Sequence, residues 1–327
     1  MPHRPIARVY LRPLRPRRAA AYCRLIAACA PVDHIDPRST LESLPTLKSA
    51  RLLMQFAPPG SMIGAFSRRQ LVGVMRLMMW PEPGGTMIYM THARVHPEFR
   101  GRGIGSSLIA WAEDSVRRIT NEGIPEDRRP ILAANASSTE PDAAQLLSDL
   151  GFTPAFTMAH MRLAGPLPTG APALPSGIVI GSPAPGDAPA LHAAQAGAWG
   201  SDLIGVAEES DDELIAEIAD QIARGETAYW RVARDGDRIA GQIWARLTEV
   251  DGVRIGVIDE VDTSAGYRRR GIASALVREA IGTFAAAGCA EVRLHTDDSD
   301  RLGAKSLYRK LGFETLKTHT RWQLPLG

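Results

Sequence analysis

Three arginines and a glycine stand between a β-type run and a helical pattern, and that arrangement makes an anion site. The run from Val257 to Thr263 turns through Ala265 and Gly266 into Arg268, Arg269, Arg270, Gly271, Ile272, Ala273 and Ser274. Ile272, Leu276, Val277, Ala280 and Ile281 then recur at helical spacing. The first N–H groups of a helix lack intrahelical partners and sit at the positive end of its dipole, so main-chain amides beside arginine suit a pyrophosphate. Gly271 and the small Ala273 let the backbone approach closely. The stretch has neither the Gly-Lys-Ser/Thr of a nucleoside-triphosphate loop nor the Gly-x-Gly-x-x-Gly of a dinucleotide fold.

The chain carries this loop twice. Val95 leads through His96, Pro97, Glu98 and Phe99 into Arg100, Gly101, Arg102, Gly103, Ile104, Gly105 and Ser106. Each loop is followed by a Gly-Phe pair, Gly151-Phe152 and Gly312-Phe313, and the second pair ends the segment Ala304-Lys-Ser-Leu307-Tyr308-Arg-Lys-Leu-Gly312-Phe313. The pattern Arg/Gln-x-x-Gly-x-Gly/Ala resembles the coenzyme A loop of the GNAT N-acetyltransferase superfamily. The segment ending in Gly312-Phe313 resembles the one that closes its fold. By this resemblance the chain is identified as a tandem member, similar to the mycothiol synthases. The implied fold class is α/β with an α+β mixed sheet, as two tandem acyl-CoA N-acyltransferase domains.

The resemblance implies transfer of an acetyl group from acetyl-CoA to a primary amine by direct attack, in a cleft where the central strand and its parallel neighbour diverge. It places the cofactor in the second half on Arg268 to Ser274, on main chain near Val261 and Thr263, and at Asp300, where the family often has Asn. In the first half it implies Val95 and the run Arg100, Gly101, Arg102, Gly103, Ile104, Gly105 and Ser106. Tyr308 matches the thiolate protonator, and a phenol near pKa 10 stays protonated at neutral pH yet can serve a thiol near 8.5. Three residues compete as base. Asp259 shares a strand face with Thr263 by period two, Glu260 faces inward only if a bulge turns it, and His295 stands five residues before Asp300. The first half has Leu147 where the tyrosine belongs, so catalysis is expected in the second half.

Composition bounds the rest. At 327 residues, 45% hydrophobic and 23% charged, the chain has the length of two domains and the balance of a globular protein. The expected domains are residues 1–164, a Pro/Gly linker over 165–177, and residues 178–327. Residues 1–164 hold 21 of the 38 Lys+Arg and 13 of the 36 Asp+Glu, so the halves differ in sign. Arginines are scattered and aromatics make up 6%, which argues against nucleic-acid binding. No apolar run approaches twenty residues, and no membrane partner is expected. Cys23, Cys29 and Cys289 have no metal spacing and suit a cytoplasmic protein, monomer or homodimer.

The elements that must position these residues follow from periodicity. Strands are expected over 8–14, 61–67, 71–80, 86–95, 131–134 and 156–163, then 178–181, 228–234 and 238–247. Helices are expected over 17–30, after each loop, and over 47–56, 142–150, 189–198 and 211–224. Ser39 and Glu42 are spaced as a capping box for one more short helix. Glu208, Glu209, Asp211 and Asp212 lie where the fold lines its acceptor site, which suits a cationic acceptor: a small-molecule amine or a peptide or protein amine. The competing expectation is a non-catalytic acyl-CoA-binding or sensor protein, or an enzyme with a longer acyl donor.

Overall fold

The computed structural model describes residues 9–39, 42, 44–82, 84–121, 123, 128–170, 173–199 and 211–326. Its contacts divide the chain into unit 1, Met1–Phe156 with His319–Gly327, and unit 2, Thr157–Thr318. These units differ from the sequence boundary at two segments, residues 157–164 and 319–327.

Unit 1 is built on strands β1 (Val9–Pro13), β2 (Met62–Ser67), β3 (Gln70–Glu82), β4 (Thr86–Val95) and β5 (Arg129–Ser137) in that spatial order. Residues 319–325 of the C-terminal strand β12 (Glu314–Pro325) then pair antiparallel with β5. Helix α3 (Ile104–Asn121) covers one sheet face, where Leu108, Ile109 and Val116 meet Val72, Met75 and Tyr89. On the other face, α1 (Ala19–Cys29) and α2 (Leu47–Phe56) pack Leu25, Ile26 and Met54 against Met62, Phe66 and Val74. Both faces of β2 and β3 are covered, which is why these strands read as apolar runs rather than as alternation. Helix α4 (Pro141–Asp149) completes the unit and buries Leu147.

Unit 2 repeats the plan with β7 (Ile178–Gly181), β8 (Arg231–Asp235), β9 (Arg238–Val250), β10 (Val253–Thr263) and β11 (Glu291–Asp297). Beyond β11 lies β6 (Thr153–Ala164), whose residues 158–164 pair antiparallel with it, from Met158 opposite Asp297 to Ala164 opposite Glu291. Helix α7 (Ile272–Ala286) lies on one face. Gly256 makes this possible, because a Cβ there would stand 2.4 Å from the Phe284 ring. Helices α5 (Ala188–Trp199) and α6 (Asp211–Ala223) cover the other face through Leu191, Ile218 and Ile222. Helix α8 (Ala304–Lys310) carries Tyr308 into the α7-side core.

Several expectations change. Ser39 and Glu42 are irregular, and the other residues of that proposed turn lie outside the described residues. The helix that forms is α2, where Thr46 Oγ1 accepts from the Ser49 N–H at 3.1 Å. The strand expected from 228 starts at Arg231, because a turn closed by Trp230 N–H to Thr227 O precedes it. Within the proline-rich segment Leu167 is buried in the core of unit 2, so that segment is anchored.

A chain ended after Thr318 is expected to leave β5 with an unpaired edge. Amide exchange at residues 132–137 should rise by about tenfold or more. Unchanged protection, measured by hydrogen exchange and mass spectrometry, would mean that β12 does not support β5.

Candidate active site

In unit 2 the central strand β10 pairs in parallel with β11 only from Ile255 opposite Glu291 to Ile258 opposite Leu294. Beyond that point the two strands part: β10 stays with β9 as far as Thr263 opposite Gly241, while β11 stays with β6 as far as Asp297. Backbone groups facing the gap have lost their ladder partners and are open to a ligand. The buried Thr263 Oγ1 has no hydrogen-bond partner among the described residues, which also fits an occupant of the gap.

A bulge sits where the strands part. Ile258 is opposite Ala245 and Glu260 opposite Trp244, leaving Asp259 as the extra residue. Asp259 turns out to an ion pair with Arg246 at 3.1 Å, with its side chain 42% exposed. Glu260 instead meets α5, accepting from Gln195 Nε2 at 2.6 Å. Two residues on, Asp262 is 2% exposed and accepts from Gln242 Nε2 at 2.9 Å; the same amide donates to Leu191 O at 3.1 Å. Burial pushes the Asp262 carboxyl up to about 7, the charge of Glu260 adds to the rise, and the Gln242 bond only partly offsets it.

Tyr308 is 7% exposed and packs edge-on against Phe313, with ring centroids 5.8 Å apart. Burial holds its phenol well above the ordinary range, and the Asp262 charge raises it further. Asp262 and Tyr308 are thus two buried ionisable groups, one following the bulge on β10 and one on α8. Sequence reasoning weighed Asp259 and Glu260 and passed over Asp262, which shares the face of Glu260 by period two; that Glu-x-Asp spacing was the available signal. His295 follows Leu294 at the start of the gap, and its ring stacks on that of His160 with centroids 4.5 Å apart.

The loop after β10 has the geometry its composition suggests. Gly271 precedes α7 with φ +86°, and Arg269 takes φ +62° although it has a side chain. Arg270 lies over the Tyr267 ring at 5.2 Å, and Arg268 Nε donates to Thr263 O at 3.4 Å. Arg269, Gly271, Ile272, Ala273 and Ser274 therefore form the turn and the first helical residues, whose N–H groups lack intrahelical partners. Asp300 caps α8 instead: the Ser306 hydroxyl donates to it at 2.5 Å and the Ser306 N–H at 3.2 Å, which lowers its carboxyl.

Unit 1 repeats the parting. Strand β4 pairs in parallel with β5 from Thr86 opposite Arg129 to Thr91 opposite Ala134, and a cavity of ≈ 570 Å³ opens beyond. Its walls include Ala93, Val95, Asn135, the loop from Arg100 through Gly101, Gly103, Ile104 and Gly105 to Ser106, and Leu147. Gly101 and Gly103 take φ +68° and +75°, matching Arg269 and Gly271. Arg100 is engaged by the buried Asp33 through two contacts of 2.7 and 2.8 Å. Arg102 donates to Glu98 O at 2.7 Å. His92, exposed on β4 where the strands part, has its imidazole lowered by partial desolvation and then by the nearby Arg76 and Arg94. Leu147 is a core residue with no proton to give.

The sequence model of the Acetyltransferase (GNAT) family matches residues 24–124 and 193–313. The chain belongs to the GNAT family. A protein from Thermobispora bispora named mycothiol acetyltransferase is 26% identical over 265 residues, covering 77% of this chain and 78% of its own. One of the same name from Salinispora tropica is 25% identical over 284 residues, 84% of each. A GCN5-related N-acetyltransferase structure from Sphaerobacter thermophilus superposes with a TM-score of 0.76 at 24% identity, over 97% of this chain and 95% of that one. A tandem GNAT protein from the clavulanic acid biosynthesis pathway gives 0.68 at 18%, over 98% and 99%. GNAT enzymes transfer acetyl from acetyl-CoA to amines, and this chain is an acyltransferase with two GNAT domains. No described helix is long and apolar enough to cross a membrane.

A buried carboxyl raised to about 7 binds a proton that the unfolded chain releases near 4, so stability falls as pH rises between those values. Asp262→Asn is expected to remove this decline, on the order of a few kcal/mol between pH 4 and 8. Parallel denaturation curves of wild type and variant across that range would show Asp262 to be ordinary.

Proposed function

We propose that unit 2 transfers an acetyl group from acetyl-CoA to a primary amine, with Tyr308 as acid and Asp262 as base. The observation that carries this reading is the buried Asp262–Tyr308 pair beside the parting of β10 from β11. The amides after Gly271 hold the pyrophosphate of the co-substrate, and main chain near Val261 and Thr263 holds its acyl arm. The acceptor enters as an ammonium, drawn by Glu260 and Asp262.

One ammonium proton passes to Asp262 and on to solvent, freeing the nitrogen lone pair. Nitrogen then attacks the thioester carbonyl carbon, the C–N bond forms and the C–S bond breaks. Tyr308 gives its proton to the leaving sulfur, and the nitrogen's second departing proton restores the phenol.

Asp259 is tied to Arg246 and His295 is stacked on His160, so both rank behind Asp262 and Glu260 as bases. Unit 1 is read as a cofactor-binding module without turnover, because Leu147 supplies no acid. A cationic amine suits the carboxylates Glu260 and Asp262, and two relatives carry the name mycothiol acetyltransferase. Asp211 and Asp212 open α6 as the acceptor-side reading expects, and Glu208 and Glu209 lie outside the described residues. A cytoplasmic setting suits acetyl-CoA as donor.

The test is release of free CoA with a panel of amines. Tyr308→Phe should lower kcat by about 10²-fold or more with acetyl-CoA affinity kept, and Asp262→Asn by a similar factor. In the wild type, kcat/KM should rise with pH through about 7 and then level off. An Asp262→Asn enzyme that keeps this rise would remove Asp262 as base, and a fully active Tyr308→Phe enzyme would remove the acid.

A further inference from the structure

The first 32 residues contain seven arginines and no Asp or Glu. Read along the chain they are scattered, but unit 1 gathers four of them. Arg12 at the end of β1, Arg15, and Arg17 and Arg18 in the turn before α1 converge with Arg68 and Arg69 of the β2–β3 turn around one concavity of ≈ 280 Å³. All six are exposed, and among the described residues no carboxylate lies within ion-pair distance of any of them. Residues 1–8 contain no acidic side chain that could supply one. Arginines elsewhere, such as Arg94, Arg100, Arg234 and Arg321, each have a carboxylate partner.

The scaffold beneath the cluster is stiff. Pro13 and Pro16 restrict the backbone on either side of Arg15. The Arg18 guanidinium lies 5.3 Å from the centre of the Phe66 ring, and Arg68 is held at φ +55° by a two-residue turn. Six like charges held around one hollow repel each other until an anion enters, and guanidinium forks match phosphate oxygens in geometry as well as charge. The hollow is smaller than the roughly 300–1,000 Å³ of pockets for drug-sized ligands. It therefore suits a few phosphate groups rather than a coenzyme. Tyr10, 48% exposed on its wall, offers a ring face to a base or sugar.

We propose that this concavity binds a small, multiply charged phosphate anion carrying a diphosphate or triphosphate group. It shares no lining residue with the loop cavity of unit 1, so it is a separate site. The diphosphate could belong to inorganic pyrophosphate or to a nucleotide, and the test separates the two.

Isothermal titration at constant ionic strength would compare pyrophosphate, AMP, ATP and a 20-nucleotide single-stranded DNA on the full chain. The same titrations would be run on an Arg15→Gln, Arg17→Gln, Arg68→Gln variant, whose exposed substitutions should leave the melting temperature and acetyl transfer unchanged. The site of interest is the difference between the two proteins, which subtracts any binding at the two coenzyme loops. One saturable pyrophosphate or ATP equivalent is expected to be lost in the variant, with affinity falling about tenfold or more. It should also weaken as salt is added. ATP tighter than pyrophosphate would assign the site to nucleotides, and equal affinity to the phosphates alone. Identical titrations of the two proteins would overturn the proposal, as would DNA binding that the variant loses while neither small anion saturates. Either result leaves the acetyl-transfer reading untouched.

Discussion

Two parallel strands can part only if each keeps a neighbour on its other side. Otherwise the diverging ends would expose whole rows of backbone donors and acceptors. In unit 2, β9 holds β10 and β6 holds β11 while the two separate past Ile258 and Leu294. In unit 1, β3 holds β4 and the end of β12 holds β5 past Thr91 and Ala134. The outer support of each gap thus comes from a segment outside the half of the sequence that carries the loop. Residues 158–164 brace the second opening, and residues 319–325 brace the first.

The two openings then diverge in chemistry. In unit 2 the bulge at Asp259 re-aims the residues that follow, so Glu260 and Asp262 face α5 while Val261 joins the α7-side core. Two carboxylates near each other, one of them buried, cannot both ionise easily, so the Asp262 carboxyl is raised. Unit 1 has no such tension. Asp33 is balanced by Arg100 and, at longer range, Arg94, and the place of the tyrosine is packed with Leu147. The same framework therefore carries a buried carboxyl and phenol in one unit, and an ion-paired aspartate with a packed leucine in the other.

The two loops, their helices and most strands were legible in the sequence because glycine position, arginine content and apolar periodicity are local signals. The allegiance of the last strands was not. Residues 156–163 alternate as an edge-bracing strand must, and nothing in that alternation says which sheet receives them. Asp262 escaped because its burial under α5 and its Gln242 partner, 20 residues away, leave no local pattern. Arg100 kept its loop position, but its partner Asp33 lies 67 residues away in an irregular stretch with no pattern to flag it. The arginines of the N-terminal stretch read as scattered until folding brought Arg68 and Arg69 beside them.

The proposed acetyl transfer depends on backbone amides gripping a diphosphate while an acyl thioester reaches between parted strands. A crystal structure of the chain with acetyl-CoA tests this most directly. It should show the diphosphate on the amides that follow Gly271, with the thioester between β10 and β11 past Ile258 and its sulfur within reach of Tyr308. A coenzyme bound with its thioester outside that opening, or a gap closed by renewed pairing of β10 with β11, would contradict it.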